Sequence, residues 1–228
     1  WEYTYLDHEV LKNVNAFNGD FVAQNVKVRD EALFDYRYAD FEGFNEDSGH
    51  AFKPYVIKEA NGARIAIIGQ SFPYTPIANP SRFMPDWTFG ISDDTMQAMV
   101  DEVRENERPD AVVVISHNGM DVDLKMASVV SGIDAIFGGH THDGMPAPTL
   151  VKNPGGETLV TNAGSNGKFV GVMDFDIRNG KVQGYEYSLL PVFSNLLEAD
   201  AGMNQLITDI RKPYSGWLNE ELATADQL

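Results

Sequence analysis

Apolar residues along this chain switch between two periods, and the clearest switch lies between Ala111 and Asp143. Ala111-Val112-Val113-Val114-Ile115 is an unbroken apolar run, mostly β-branched, the pattern of a strand buried on both faces. His117 follows the end of that run. Met120 to Val130 then places Val122, Met126, Val129 and Val130 at helical spacing, and Ile133 to Phe137 is a second short apolar run. It leads into Gly138-Gly139-His140-Thr141-His142-Asp143. Strand, helix, strand in that order predicts a parallel crossover whose two strands end on one edge of a sheet. Three of the five histidines gather at that edge.

The remaining elements follow by the same reading. A helix is predicted over Asp7 to Val14 and a short strand over Gly19 to Val26. The next thirty or so residues interleave Phe34, Tyr36, Tyr38, Phe41 and Phe44 with Asp and Glu and hold neither period. They read as an excursion loop, functional or partner-facing, with His50 an exposed polar residue within it. Pro54 to Lys58 and Ala63 to Gly69 predict a hairpin turning at Asn61-Gly62. Phe72 to Phe89 is rich in Pro and aromatic residues, so it is irregular, and as a loop leaving a strand's carboxyl end it forms a pocket wall. Asp93 to Glu107 predicts an amphipathic helix capped by Ser92, with Met96, Met99, Val100 and Val103 inward. Asn153 to Gly156 turns into a strand over Thr158 to Gly164, and Ser165 to Lys168 makes a tight polar turn. Phe169 to Ile177 and Val182 to Leu190 pair antiparallel about Asn179-Gly180, and a helix runs from Glu198 to Arg211 before a polar tail.

Composition narrows the partners. With 228 residues, 43% of them hydrophobic, the chain can bury one main core, with room for an appendage. A formal net charge of -17 repels phosphate backbones, which excludes nucleic acid as a partner. Cysteine is absent, so disulfides, iron–sulfur ligation and thiol catalysis are excluded. No run approaches the roughly eighteen apolar residues of a membrane span. The histidines carry the chemistry. His140 and His142 are two apart, so in extended backbone their side chains leave on the same side. Neutral imidazole ligates Zn, Mn or Fe, and glycine at 138 and 139 lets the backbone pass close to an ion and its substrate.

A histidine after one parallel strand and Gly-His-x-His after the next resemble the calcineurin-like metallophosphoesterase superfamily. The order and lengths of the elements resemble its 5′-nucleotidase branch. Within that branch five strings are similar to the SoxB thiosulfohydrolase family: Trp1 to Tyr5, Ser116 to Asp123, Gly138 to Pro146, Asn162 to Phe169 and Leu189 to Phe193. The resemblance implies an α/β fold, a partial four-layer α/β/β/α metallophosphoesterase sandwich incomplete at its N-terminus. It implies a catalytic domain over residues 1–192, lacking the family's N-terminal metal motifs, and a helical linker over 193–228 toward an absent C-terminal domain. The chain is then an internal fragment, inactive alone and weak in metal binding.

The same resemblance assigns His117 and His140 to one of two divalent metals and His142 to the other. The metals are expected to be manganese, with zinc compatible with the ligands. Trp1 stands where nucleotidases carry a catalytic His, and Thr4 where they carry an Asp. Asn118, Asp121 and Asp143 are candidates to orient ligands or substrate, or are turn and cap residues. The general acid is unassigned. The implied activity is a dinuclear-metal hydrolase of the Sox sulfur-oxidation pathway, releasing sulfate from the cysteine S-thiosulfonate of a SoxYZ-like carrier protein in the periplasm. A 5′-nucleotidase or phosphodiesterase, and a non-catalytic binding module, are the alternatives.

Overall fold

The computed structural model describes residues 2–33, 41 and 43–225. Trp1 and the aromatic residues Phe34, Tyr36 and Tyr38 lie outside them. In chain order the elements are α1 (Glu2–Ala16), β1 (Val26–Val28), β2 (Tyr55–Ala60), β3 (Ala63–Gln70), α2 (Thr75–Ala78), β4 (Trp87–Phe89), α3 (Asp93–Asn106) and β5 (Ala111–Ser116). They continue with α4 (Met120–Val129), β6 (Ala135–Gly138), β7 (Thr149–Asn153), β8 (Gly156–Asn162), β9 (Phe169–Arg178), β10 (Lys181–Pro191), α5 (Ala201–Arg211) and α6 (Ser215–Leu218).

Six strands form one sheet in the order β2-β3-β5-β6-β8-β7. The four inner strands run parallel, with Ile67 beside Val113, Val113 beside Ala135 and Ala135 beside Leu159. β2 and β7 close the two edges antiparallel. The β2–β3 hairpin pairs Ala60 with Ala63 across Asn61 and Gly62, whose φ values of 52° and 82° are those a two-residue hairpin turn requires. Along β5 successive side chains go to opposite faces, as pleating demands. Val112 and Val114 join Ala66, Ile68, Ile136 and Val160 under α3 and α4, where Met96, Met99, Val100, Val103 and Met126 complete the core. Each fully buried Val, Ile or Met there is worth about 1.5–3 kcal/mol. Val113 faces the other way with Ala135 and Leu159, and Met173 and Phe175 of β9 pack on that side. Helices, six-stranded sheet and the two-stranded β9–β10 sheet are thus three stacked layers of the expected α/β/β/α arrangement. Arg104 locks the helical layer to the sheet: its guanidinium donates to Gly132 O and to Asp134 Oδ2 at 2.7 Å, and Asp134 Oδ2 also accepts from Val112 N.

Several local expectations change. Gly19 to Gln24 is not a strand; the segment makes one parallel bridge, Val22 to Lys53, and a strand begins only at Val26. Among its described residues, the excursion after it packs inward. β1 pairs antiparallel with β4, and Val26, Val28, Phe41, Phe52 and Trp87 bury against Val10 and Leu11 of α1 in a second core of mixed aliphatic and aromatic residues. Its rings meet edge-on, Phe52 to Trp87 at 5.3 Å and Phe41 to Phe52 at 5.6 Å, contacts worth about 0.5–1.5 kcal/mol each beyond area burial. Aromatic residues without a period mark irregular backbone here, not exposure. β7 also forms, in a stretch for which no element is predicted. Ser92 occupies the cap position of α3, but its hydroxyl makes no capping bond; its carbonyl accepts from Met96 N. α1 starts before Asp7 and is broken at Leu6, where φ is 64°.

His50 is buried, 9% exposed, where it was expected in solvent. It bridges Lys27 and Asn45, and its Nδ1 lies 2.8 Å from Ser48 Oγ. Burial, then the Lys27 charge, holds its imidazole below the ordinary value of 6.5. The unfolded chain therefore binds more protons between the lowered folded value and 6.5, so stability falls as pH drops through that window. His50→Gln is expected to flatten this acid-side loss, read as the pH dependence of the urea midpoint between pH 7 and 5. An unchanged slope would show that His50 is not its source.

Residues Pro191–Leu228 form a separate compact unit. There Asp200 caps α5 by accepting from Met203 N at 2.7 Å, and Met203, Leu206, Ile207 and Ile210 are exposed along the helix. Among the described residues no helix is long and apolar enough to cross a membrane.

Candidate functional site

β5 and β6 are parallel neighbours, so their carboxyl ends deliver two loops to one rim of the sheet. His117 leaves β5 first. Its backbone N–H donates to Gln70 O at the end of β3, a 2.9 Å bond that fixes where the ring starts. The His117 and His140 rings stand 5.2 Å apart, edge to face. Glycine at 139 makes this approach possible. A Cβ there would lie 3.0 Å from His117 Nδ1 and 3.3 Å from Ser116 O.

The backbone reaches His140 differently from the extended geometry its sequence spacing suggested. β6 ends at Gly138, and His140 and His142 have φ values of 73° and 61°. Thr141 N donates to Gly139 O at 2.9 Å, closing a three-residue turn with His140 at its centre. Non-glycine residues held in this region cost on the order of 1 kcal/mol or more each, and such strain collects at working loops. The turn is secured from outside. Met120 N, at the start of α4, donates to Thr141 Oγ1 at 3.2 Å, and Thr141 Oγ1 donates to Asp143 Oδ2 at 2.5 Å.

An aromatic residue sets the plane of the second imidazole. Phe72, at the exit of β3, stacks on the His140 ring at 4.2 Å between centres and 28° between planes. It meets His117 edge-on at 6.4 Å. Thr75 Oγ1 donates to Phe72 O at 2.6 Å and holds that loop. Partial desolvation of His117, followed by the nearby His140 and His142 rings, holds its imidazole below the ordinary value. At neutral pH it is therefore uncharged, with a lone pair free for a ligand bond.

Beneath the rim lies a buried polar chain. Asp123 of α4 is 0% exposed, and its Oδ1 accepts from Ser116 Oγ at 2.6 Å and from Asn118 Nδ2 at 3.0 Å. Asn118 N donates back to Ser116 Oγ at 3.1 Å, and Asn118 Oδ1 accepts from Gln70 Nε2 at 3.1 Å. Gln70 Oε1 in turn accepts from Gln24 Nε2 at 2.6 Å. Burial pushes the Asp123 carboxyl up against the lowering effect of the Ser116 and Asn118 bonds. Among the described residues four buried side-chain atoms have no hydrogen-bond partner: Tyr187 OH on β10, and Asp123 Oδ2, Thr161 Oγ1 and Asn162 Oδ1, the last three in residues around the end of β6.

The sequence-derived candidates therefore fall into different places. His117 and His140 meet. His142 sits two residues on, exposed, in the same loop. Asn118 points down into the buried chain. Asp121 is exposed in the first turn of α4, Asp143 is exposed and engaged with Thr141, and Trp1 lies outside the described residues. Phe72, Gln70 and Asp123 were not singled out from sequence. For Asp123 a signal existed: an acidic residue three and four positions before the buried Met126 and Ala127 shares their helix face.

Two imidazoles sharing one ion at about 2.1 Å place their ring centres roughly 5 Å apart. The His117–His140 pair fits two ligands of one ion on that measure. It does not complete a site: among the described residues no three His, Asp or Glu side chains converge to hold a metal. Neutral imidazoles alone leave a divalent charge uncompensated.

No family model matches the chain. The "5'-nucleotidase" of Vibrio cholerae is 30% identical over 167 residues, covering 62% of this chain and 30% of that protein. Among solved structures, the sulfate thiohydrolase SoxB of Thermus thermophilus matches with a TM-score of 0.80 and 28% identity, covering 95% of this chain and 36% of that one. A 5′-nucleotidase precursor from Thermus thermophilus matches at 0.76 and 26%, covering 95% and 41%. The chain spans about a third of the length of the relatives it matches. It has the metallophosphoesterase fold, with paired histidines at the carboxyl rim of the central sheet. Within that fold its likeness is to the calcineurin-like 5′-nucleotidase branch, whose named members here are hydrolases.

Proposed function

We propose that the protein is a metal-dependent hydrolase that releases sulfate from a cysteine S-thiosulfonate on a sulfur-carrier protein, in the periplasm. The observation that carries this reading is the meeting of His117 and His140 at 5.2 Å in a chain that superposes on SoxB over 95% of its length. His117 and His140 would hold one divalent ion and His142 would contribute to the other. Bound metal would supply a Lewis acid that activates water and stabilises negative charge on the sulfonate oxygens. Manganese suits imidazole mixed with oxygen ligands.

The chain's own residues act around that chemistry. His117 offers its lone pair, Phe72 fixes the His140 plane, and the Thr141–Asp143 bond holds the loop that carries both His140 and His142. Water oxygen bonds the sulfonate sulfur and gives up its two protons to solvent, the sulfur–sulfur bond to the carrier breaks, sulfate departs and the carrier keeps a sulfur anion. Such an anion leaves without a proton, so no acid at the position of Trp1 is required. Nucleotide phosphoester hydrolysis is the second reading, favoured by the 30% identity to a 5′-nucleotidase.

The test is a parallel assay of the full-length gene product with Mn²⁺, scoring sulfate from a carrier-cysteine S-thiosulfonate and phosphate from AMP. Sulfate release well above phosphate release is expected, and it should be lost in His117→Ala. Rapid AMP hydrolysis with no sulfate release would replace this reading with the second.

A further inference from the structure

Asp123 has no place in the chemistry above, yet it is a fully buried carboxylate bonded to both neighbours of His117. One carboxylate oxygen holds Ser116 and Asn118, the residues on either side of His117. Those two residues are also bonded to each other through Asn118 N and Ser116 Oγ. The other oxygen has no hydrogen-bond partner and is directed at Gly138, where a Cβ would lie 2.7 Å from it. Gly138 begins the turn to His140, and its neighbour Gly139 lies against His117. A single carboxylate is therefore bonded to the side chains flanking His117 and lies beside the glycine that leads into the His140 turn. Helix propensity and packing do not ask for it: an apolar side chain between Met126, Ala127 and the sheet would avoid the cost of a buried charge.

We propose that Asp123 is a positioning residue that sets the relative orientation of the His117 and His140 rings by clamping Ser116 and Asn118 and bearing on Gly138. It acts as a hydrogen-bond acceptor at Oδ1, so asparagine preserves the clamp and leucine of similar volume removes it. The clamp continues through Asn118 to Gln70 and Gln24, which ties the rim to the segment crossing beneath it.

The functional weight of this clamp rests on the histidine pair being a metal site, but the clamp itself is testable without metal. In the metal-free full chain, NMR cross-peaks between the Phe72 and His140 rings and between His117 and His140 report the geometry directly. Asp123→Leu is expected to lose these cross-peaks in a folded protein with a lowered melting temperature, because Ser116 Oγ and Asn118 Nδ2 lose their acceptor, and Asp123→Asn to retain them. With Mn²⁺ added, the leucine variant should bind at least about 10-fold more weakly than wild type. Intact ring contacts in a folded Asp123→Leu protein would overturn the proposal. Should that variant not fold, Ser116→Ala decides: it removes one donor to the carboxylate and should weaken the same cross-peaks. Wild type that shows the contacts, in a full-length gene product that binds no Mn²⁺, would sink the metal reading and leave the clamp standing.

Discussion

Gly69→Ala is expected to be the most damaging single methyl in the chain. A Cβ at this position would lie 2.0 Å from Val22 O and 2.3 Å from Val22 C, both backbone atoms that no rotamer change can move. The contact is close because the strand and the crossing segment are bonded to each other. Gln24 N donates to Gly69 O at 2.9 Å, and Gly69 N donates to Pro54 O at 3.1 Å. Ordinary overpacking costs about 1–3 kcal/mol, and it reaches that range with flexible neighbours. Here the whole 22–24 segment must lift, so a loss of at least about 3 kcal/mol is expected, or a fall of roughly 10 °C in Tm for a domain of this size. Thermal and urea unfolding measure it. A Tm within two or three degrees of wild type, estimated on the same scale, would mean the segment is free to move away and does not brace the sheet.

Gly139→Ala separates stability from function. Its Cβ would sit 3.0 Å from His117 Nδ1, a side chain that can yield by swinging. The backbone at Gly139 does not lie in the left-handed region, so alanine meets no conformational penalty there. The expected result is a protein whose Tm changes little but whose His117 ring is pushed off the His140 ring. Misplaced ligand supports typically cost 10–100-fold in metal affinity, and a loss of about that size is expected for Mn²⁺ by calorimetry, with hydrolysis falling in parallel. Unchanged affinity would show that His117 does not ligate.

The parts of the fold that sequence made visible are those where a single physical rule dominates. The run Ala111 to Ile115 could only be an inner strand, and Met96, Met99, Val100 and Val103 could only be one buried helix face. Asn61-Gly62 fixed the hairpin because few residue pairs accept its dihedrals. Where two rules compete, the pattern misleads. The aromatic residues from Phe41 to Phe52 lack a period because they bury from irregular backbone, which leaves no alternation to read. His140 and His142 share a face on paper, but a turn bonded through Thr141 and Asp143 overrides the extended geometry. Asp123 is hidden for a related reason: hydropathy equates burial with apolar character, and a carboxylate satisfied by Ser116 and Asn118 escapes that rule. Phe72 is legible only once a strand is known to end beside it.

The pairing of β1 with β4 has a kinetic side. Val26 meets Phe89 across more than sixty intervening residues, whereas β5 meets β6 through one short helical crossover. Contacts between distant positions pay their loop-closure entropy before they return any stabilisation, so high contact order slows their formation. The aromatic lobe should therefore assemble after the parallel sheet, docking onto a platform already in place, with the Gln24 to Gln70 bond among the last to close.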